Sequence, residues 1–179
     1  VPVADDGQSH GAPTGNPLAR VTLVGTNTGA ARAAAEWQAR SPEDARLLAD
    51  LAKVPTATWL GNWSGDVAAT VRQRMAEAGA AGGVPVFVVY NVPDLDCGGY
   101  SAGGAPSPEA YAGWIRAVAA AIGTADAIVI VEPDTLALLC GDPAQRVRML
   151  QDAVDALEAN RRTARTSTPG TPTGPPPGD

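Results

Sequence analysis

Two stretches of this chain are apolar at nearly every position: residues 84–92, VPVFVVYNV, and the run AIVIV at 127–131. A strand with one wet face alternates apolar and polar residues, so unbroken runs suit parallel strands covered on both faces. Parallel neighbours cannot be joined by a tight hairpin. They need a long crossover, ordinarily a helix, which restricts the chain to an α/β architecture.

The remaining sequence supplies those crossovers. RVTLVG at 20–25 reads as a first strand, and SPEDARLLADLAKV as a helix opened by Ser41 as N-cap with Pro42 in the first turn. TATWL at 56–60 is a further strand. GDVAATVRQRMAEAGAAGG then places Val67, Val71 and Met75 on one helical face and ends in helix-stopping glycines. A second Ser-Pro-Glu opening starts the helix SPEAYAGWIRAVAAAIG, and DPAQRVRMLQDAVDALEAN forms a last helix with Val147, Leu150, Val154 and Leu157 as its expected inner face. Four strands, each followed by helical sequence, imply right-handed β-α-β units. The foldable body spans residues 17–160. Residues 1–16 lack apolar periodicity, and 161–179 are rich in Pro, Thr and Gly; both are expected to be disordered.

Thirteen Lys+Arg against nineteen Asp+Glu give a formal charge of −6, which argues against a nucleic-acid partner, since phosphate binding needs a basic face. No apolar run approaches the roughly 20 residues needed to span a bilayer, and the N-terminus shows no charged-then-apolar leader. The chain is therefore either cytosolic or a mature, already trimmed form. Cys97 and Cys140 fit either one disulfide or two reduced core thiols, and their spacing does not choose.

Both buried runs end in acid. In VVYNVPDLD and VIVEPD, Pro93 and Pro133 stop the ladder, because proline lacks the N–H, and Asp96 and Asp134 follow. In parallel α/β sheets the strands' carboxyl ends share one rim where active sites gather. Two carboxyls there can work on a glycosidic bond, where one stays protonated as the acid while its neighbour stays charged. The alternative is structural: Asp134 before TLALLC would cap a following helix. A metal or phosphate site is disfavoured, since no glycine-rich loop with Lys follows a strand and His10 is the only histidine.

The blocks VVYNVPDLDCGGYSAGGAPSPEAYAGWI and AIVIVEPDTLALL closely resemble glycoside hydrolase family six, the inverting β-1,4-glucanases, over roughly 17–160. The resemblance implies a distorted TIM-like barrel of parallel strands that cuts cellulose or related β-glucan without a cofactor. It implies Asp134 as general acid and Asp96 as its electrostatic partner. Tyr90 would lie beneath the sugar at the scissile bond, with Trp59 as a stacking platform in a neighbouring subsite and Ser101 in a loop on the water-binding side. Aromatic faces suit sugar rings, although Trp59 read alone is equally a half-buried core residue. The resemblance also implies a Cys97–Cys140 disulfide beside the cleft, and with it a secreted protein. Trp37, Trp63 and Trp114 are left to packing.

Two departures stand out. Leu95 occupies the place where the family often has Arg before the Asp-Cys pair. After Asn160 the sequence passes into RRTARTSTPGTPTGPPPGD, without the family's later strands and their Asp-Ala-Gly-His-like segment. The expectation is the N-terminal part of a catalytic domain, a partial barrel with an open sheet edge prone to self-association. Its activity is correspondingly open, with an inactive remnant or a glucan-binding protein as the alternative.

Overall fold

The computed structural model describes residues 16, 18–25, 28–100, 102–137 and 139–166. In chain order the regular elements are β1 (Leu23–Val24), α1 (Thr28–Trp37), α2 (Pro42–Ala52), β2 (Thr58–Leu60), α3 (Val67–Ala80), β3 (Val84–Val89), α4 (Pro108–Ile122), β4 (Ile128–Val131) and α5 (Pro143–Thr166). Short 3₁₀ turns follow β2 at Asn62–Ser64 and β3 at Asp96–Gly98. All strand pairs are parallel, as the unbroken apolar runs require.

β3 is the centre of the sheet. β2 lies beside it in the register Thr58↔Phe87 to Leu60↔Val89, and β4 in the register Val86↔Ile128 to Val89↔Val131. β1 adds two pairs at the start of β3. Phe87 and Val89 point into a core built with Leu60, with Val67 and Val71 of α3, with Tyr111, Ile115 and Val118 of α4, and with Ala153 of α5. Helix starts follow local chemistry. The Asp66 side chain accepts from Ala69 N and caps α3, and the Ser107 hydroxyl accepts from Ala110 N and caps α4, whereas Ser41 makes no side-chain cap bond before α2.

Four expectations are corrected. α1 had no counterpart in the sequence reading; its TGAARAAAEW segment favours helix through alanine and turns Ala30, Ala33 and Ala34 to its less exposed face, with Arg32 and Glu36 outside. β4 is covered less fully than its sequence suggests: it pairs only with β3 among the described residues, and Ile130 stays 45% exposed at that edge. α5 keeps the expected Leu157 on its inner side but not the two valines. Val147 and Val154 are exposed, while Arg146 and Ala153 are buried and Met149 and Leu157 pack on the core, because the small Ala153 lets the helix approach closely. α5 also continues past Asn160 to Thr166, through residues 161–164, RRTA, whose Arg and Ala favour helix. Among the described residues no helix is long and apolar enough to cross a membrane.

Candidate active site

The chain leaves β3 and β4 at the same rim, and there the backbone abandons ordinary conformations. Asp94, Asp96, Cys97, Glu132 and Asp134 all have positive φ, between 46° and 71°. For residues other than glycine this left-handed region is sparsely populated and costs of order 1–3 kcal/mol each, so a cluster of five persists only where surrounding contacts hold it. Such strain concentrates at functional sites.

Those contacts are visible on both loops. Past β3, Tyr90 N donates to Leu60 O at 2.8 Å, Ala105 N to Asn91 O at 2.8 Å and Gly99 N to Asp96 O at 2.7 Å, while Leu95, now a buried residue, bridges Gly103. Gly104 has φ +94°, and any Cβ there would collide with the Val92 carbonyl; only glycine lets the returning loop lie this close. Past β4, residues 133–137 form turns. The cap role considered for Asp134 falls instead to Asp142, whose carboxylate accepts from Ala144 N and Gln145 N at the start of α5, because no helix begins until Pro143. A disulfide between Cys97 and Cys140 ties the two loops together.

The result is one small recess lined by Tyr90, Asp94, Leu95, Asp96, Asp134, Thr135 and Arg146. Asp96 and Asp134 therefore border the same space, although they lie far apart in sequence. The Tyr90 hydroxyl is pushed up in pKa, first by burial and then by the charges of Asp96, Asp134 and Glu132. Trp59, 52% exposed, stands edge-on to Tyr90 at 5.7 Å between ring centroids and 77° between planes. Ser101 lies outside the described residues. Of the other tryptophans, Trp114 packs on the core and stacks on Tyr111, Trp37 carries the Arg40 guanidinium over its ring, and Trp63 is exposed after β2 rather than packed inside.

Two charged residues of the site were missed in the sequence. Glu132 is only 2% exposed, and its carboxylate accepts the Asn91 N–H at 2.9 and 3.1 Å. Burial pushes its pKa up to about 7, against the opposing pull of the Asn91 and Val92 N–H groups, the nearby Tyr111 hydroxyl and the Arg146 charge. The Tyr111 hydroxyl faces this carboxylate outside full hydrogen-bond geometry, and burial and the Glu132 charge drive its own pKa far up. Arg146, 3% exposed, donates from Nη1 to Thr135 Oγ1 at 3.2 Å and from Nη2 to the Cys140 carbonyl at 3.3 Å. The signal available was the acidic Glu132 placed directly after an apolar run and before Pro133, and an Arg near the docking side of α5.

A parallel α/β sheet with paired acids at its carboxyl rim defines a class in which loops carry the chemistry on a rigid scaffold. The particular family follows from comparison: the model for glycosyl hydrolases family 6 matches residues 20–164, and the chain belongs to that family. It is 41% identical over 129 residues to Endoglucanase A of Thermobispora bispora, covering 69% of this chain and 28% of that protein. It is 43% identical over 140 residues to Endoglucanase 1 of Streptomyces halstedii, covering 72% of this chain and 42% of that one. Among solved structures, the endoglucanase Cel6 of Mycobacterium tuberculosis, in complex with methyl-cellobiosyl-4-deoxy-4-thio-β-D-cellobioside, superposes with a TM-score of 0.66 at 33% identity, covering 84% of this chain and 51% of that chain. The cellobiohydrolase Cel6A of Humicola insolens, at 21% identity and a TM-score of 0.66, shares the fold. The chain thus spans well under half the length of these curated relatives and about half of the solved chains.

Proposed function

We propose that this chain hydrolyses β-1,4-glucosidic bonds of cellulose or a related β-glucan with inversion. The observation that carries the reading is the recess that Asp96 and Asp134 line together with Tyr90, whose ring Trp59 meets edge-on. A sugar ring stacks on Trp59 and the next lies over Tyr90, which brings the linking oxygen to Asp134. Asp134 donates its proton to that oxygen as the bond breaks. Asp96, across the recess, places a carboxyl group near the positive charge that develops on the sugar. Water attacks the opposite face and passes its proton to a base carboxylate, which inverting enzymes keep roughly 6.5–9.5 Å from the acid to leave room for that water.

Reducing-sugar release from carboxymethylcellulose tests the assignment: Asp134→Ala is expected to lower the rate by about 10²–10⁴-fold. Equal rates in wild type and variant reject Asp134 as the acid. A second reading, a glucan-binding chain without turnover, is favoured by one fact, the 52% exposure of Trp59 beside Tyr90, which offers an aromatic face for a sugar whether or not a bond is cut. Calorimetric titration with cellotetraose separates the two, since heat of binding without product marks a binder. The disulfide supports an extracellular setting, where such bonds persist, and the β4 edge, unpaired among the described residues, supports self-association at high concentration.

A further inference from the structure

The ladder between β3 and β4 breaks in an unusual way. In a parallel pair each bonded residue gives its N–H to one neighbour residue and its C=O accepts from the N–H two positions further along. Glu132 N donates to Val89 O at 2.9 Å, so the next rung should join the Glu132 carbonyl to the Asn91 N–H. It does not. The Asn91 N–H goes to the Glu132 carboxylate, and the Glu132 carbonyl accepts instead from Thr135 N at 3.3 Å, closing the turn that contains Pro133 and Asp134.

We infer that Glu132 is a positioning residue: its side chain replaces its own main-chain carbonyl as the final rung of the sheet, and the backbone so released turns Asp134 into the recess. The observations agree at each step. Glu132 and Asp134 both have positive φ, 46° and 71°, as a chain must when it leaves a strand this sharply without extending it. An N–H as deeply buried as that of Asn91 would cost about 1–3 kcal/mol if left unpartnered, so the substitute rung is what makes the turn tolerable. The groups that face the carboxylate come from every neighbouring element: the N–H groups of Asn91 and Val92 past β3, Tyr111 from α4 and Arg146 from α5, with Tyr90 also sensing its charge. Arg146 bonds Thr135 and the Cys140 carbonyl, and so braces the far side of the same turn. Among the described residues Arg146 has no carboxylate within ion-pair distance, so its charge acts on Glu132 through space. Burial raises the Glu132 pKa to about 7, which makes the rung's acceptor change charge within the neutral range.

This inference rests on the glucanase reading for its kinetic consequence but not for its structural one, and the test uses both. Glu132→Ala removes the rung; kcat on a soluble cello-oligosaccharide should fall about 10²-fold, as for a displacement of the acid by an ångström, with KM changed less than about threefold because Trp59 and Tyr90 are untouched. Glu132→Gln keeps a neutral acceptor and should recover at least about tenfold of that loss. Independently of activity, the Asn91 amide resonance of the wild type should titrate with a midpoint near pH 7 and should not titrate in Glu132→Gln. A wild type that cleaves no glucan counts against the glucanase reading alone, and the Asn91 titration then judges Glu132. Should Glu132→Ala not fold, Glu132→Gln and the titration carry the test. An Asn91 amide indifferent to pH between about 5 and 9, or a folded Glu132→Ala with undiminished kcat, overturns the inference.

Discussion

The ends of β3 and β4 begin from the same device, an apolar run, a proline and an aspartate, yet they hold their acids by different means. Past β3, the central strand, the main chain does the holding: Tyr90 bonds Leu60, Ala105 bonds Asn91, and Leu95 bridges Gly103. Past β4, which among the described residues has only β3 beside it, side chains take over: the Glu132 carboxylate and the Arg146 guanidinium, together with the disulfide from Cys140 to Cys97 that the two loops share. A central strand can fix its loop with the sheet's own N–H and C=O groups, since neighbours stand on both sides. An edge strand lacks one of those neighbours, and the groups that substitute are ionisable or reducible. The two acids of one recess therefore respond differently to the medium.

The largest expected effect separates the loops through the disulfide. Replacing Cys97 and Cys140 with serine frees a loop spanning a sequence separation of 43 residues, for which chain entropy predicts a loss of about 4 kcal/mol in urea unfolding. An unchanged midpoint would mean that Arg146 and Glu132 hold the β4 side alone, and the contrast drawn above would need revision. Next comes pH. The folded Glu132 carboxyl keeps its proton up to about 7, whereas the unfolded one releases it near 4.5, so between those values the folded state binds more protons. Stability is then full below about 4.5 and falls as pH rises through 7, by roughly 3 kcal/mol, and Glu132→Gln should flatten the slope. A wild-type stability independent of pH from 4 to 8, read by the same urea titration at steps of about one unit, would remove the ionisable side chain from the contrast. The smallest effect is expected at the strand's outer face, where Ile130→Thr should cost less than about 1 kcal/mol because half of that side chain is already in water. A cost of several kcal/mol would show that something covers the β4 edge in solution.

The elements that could be read in advance were those whose own period carries the signal. The unbroken runs at β3 and β4 announced parallel strands, and Val67 and Val71 at four-residue spacing announced the buried face of α3. α1 escaped although Ala30, Ala33 and Ala34 recur at helical spacing on its less exposed face, because a stripe of alanines carries less apolar surface than one of valines. On α5 Leu157 packs inward as expected, but the valines do not: beside it the helix docks through Met149 and Ala153, since close approach rewards a small side chain more than a large one at the contact. Glu132, Thr135 and Arg146 escaped for a related reason: a charged residue in sequence reads as solvent-facing, and its burial exists only once α4 and α5 have closed over it.

By itself, then, the order of residues determined the parallel α/β class, the prolines that end both strands, and the presence of two aspartates at one rim, because strand polarity and proline chemistry are local properties. Only the tertiary structure decided that Asp96 and Asp134 border a common recess, that Cys97 reaches Cys140, and that a glutamate stands in for a rung of backbone. Those depend on which surfaces meet across the sheet, and on buried polar groups that find partners only in the assembled fold.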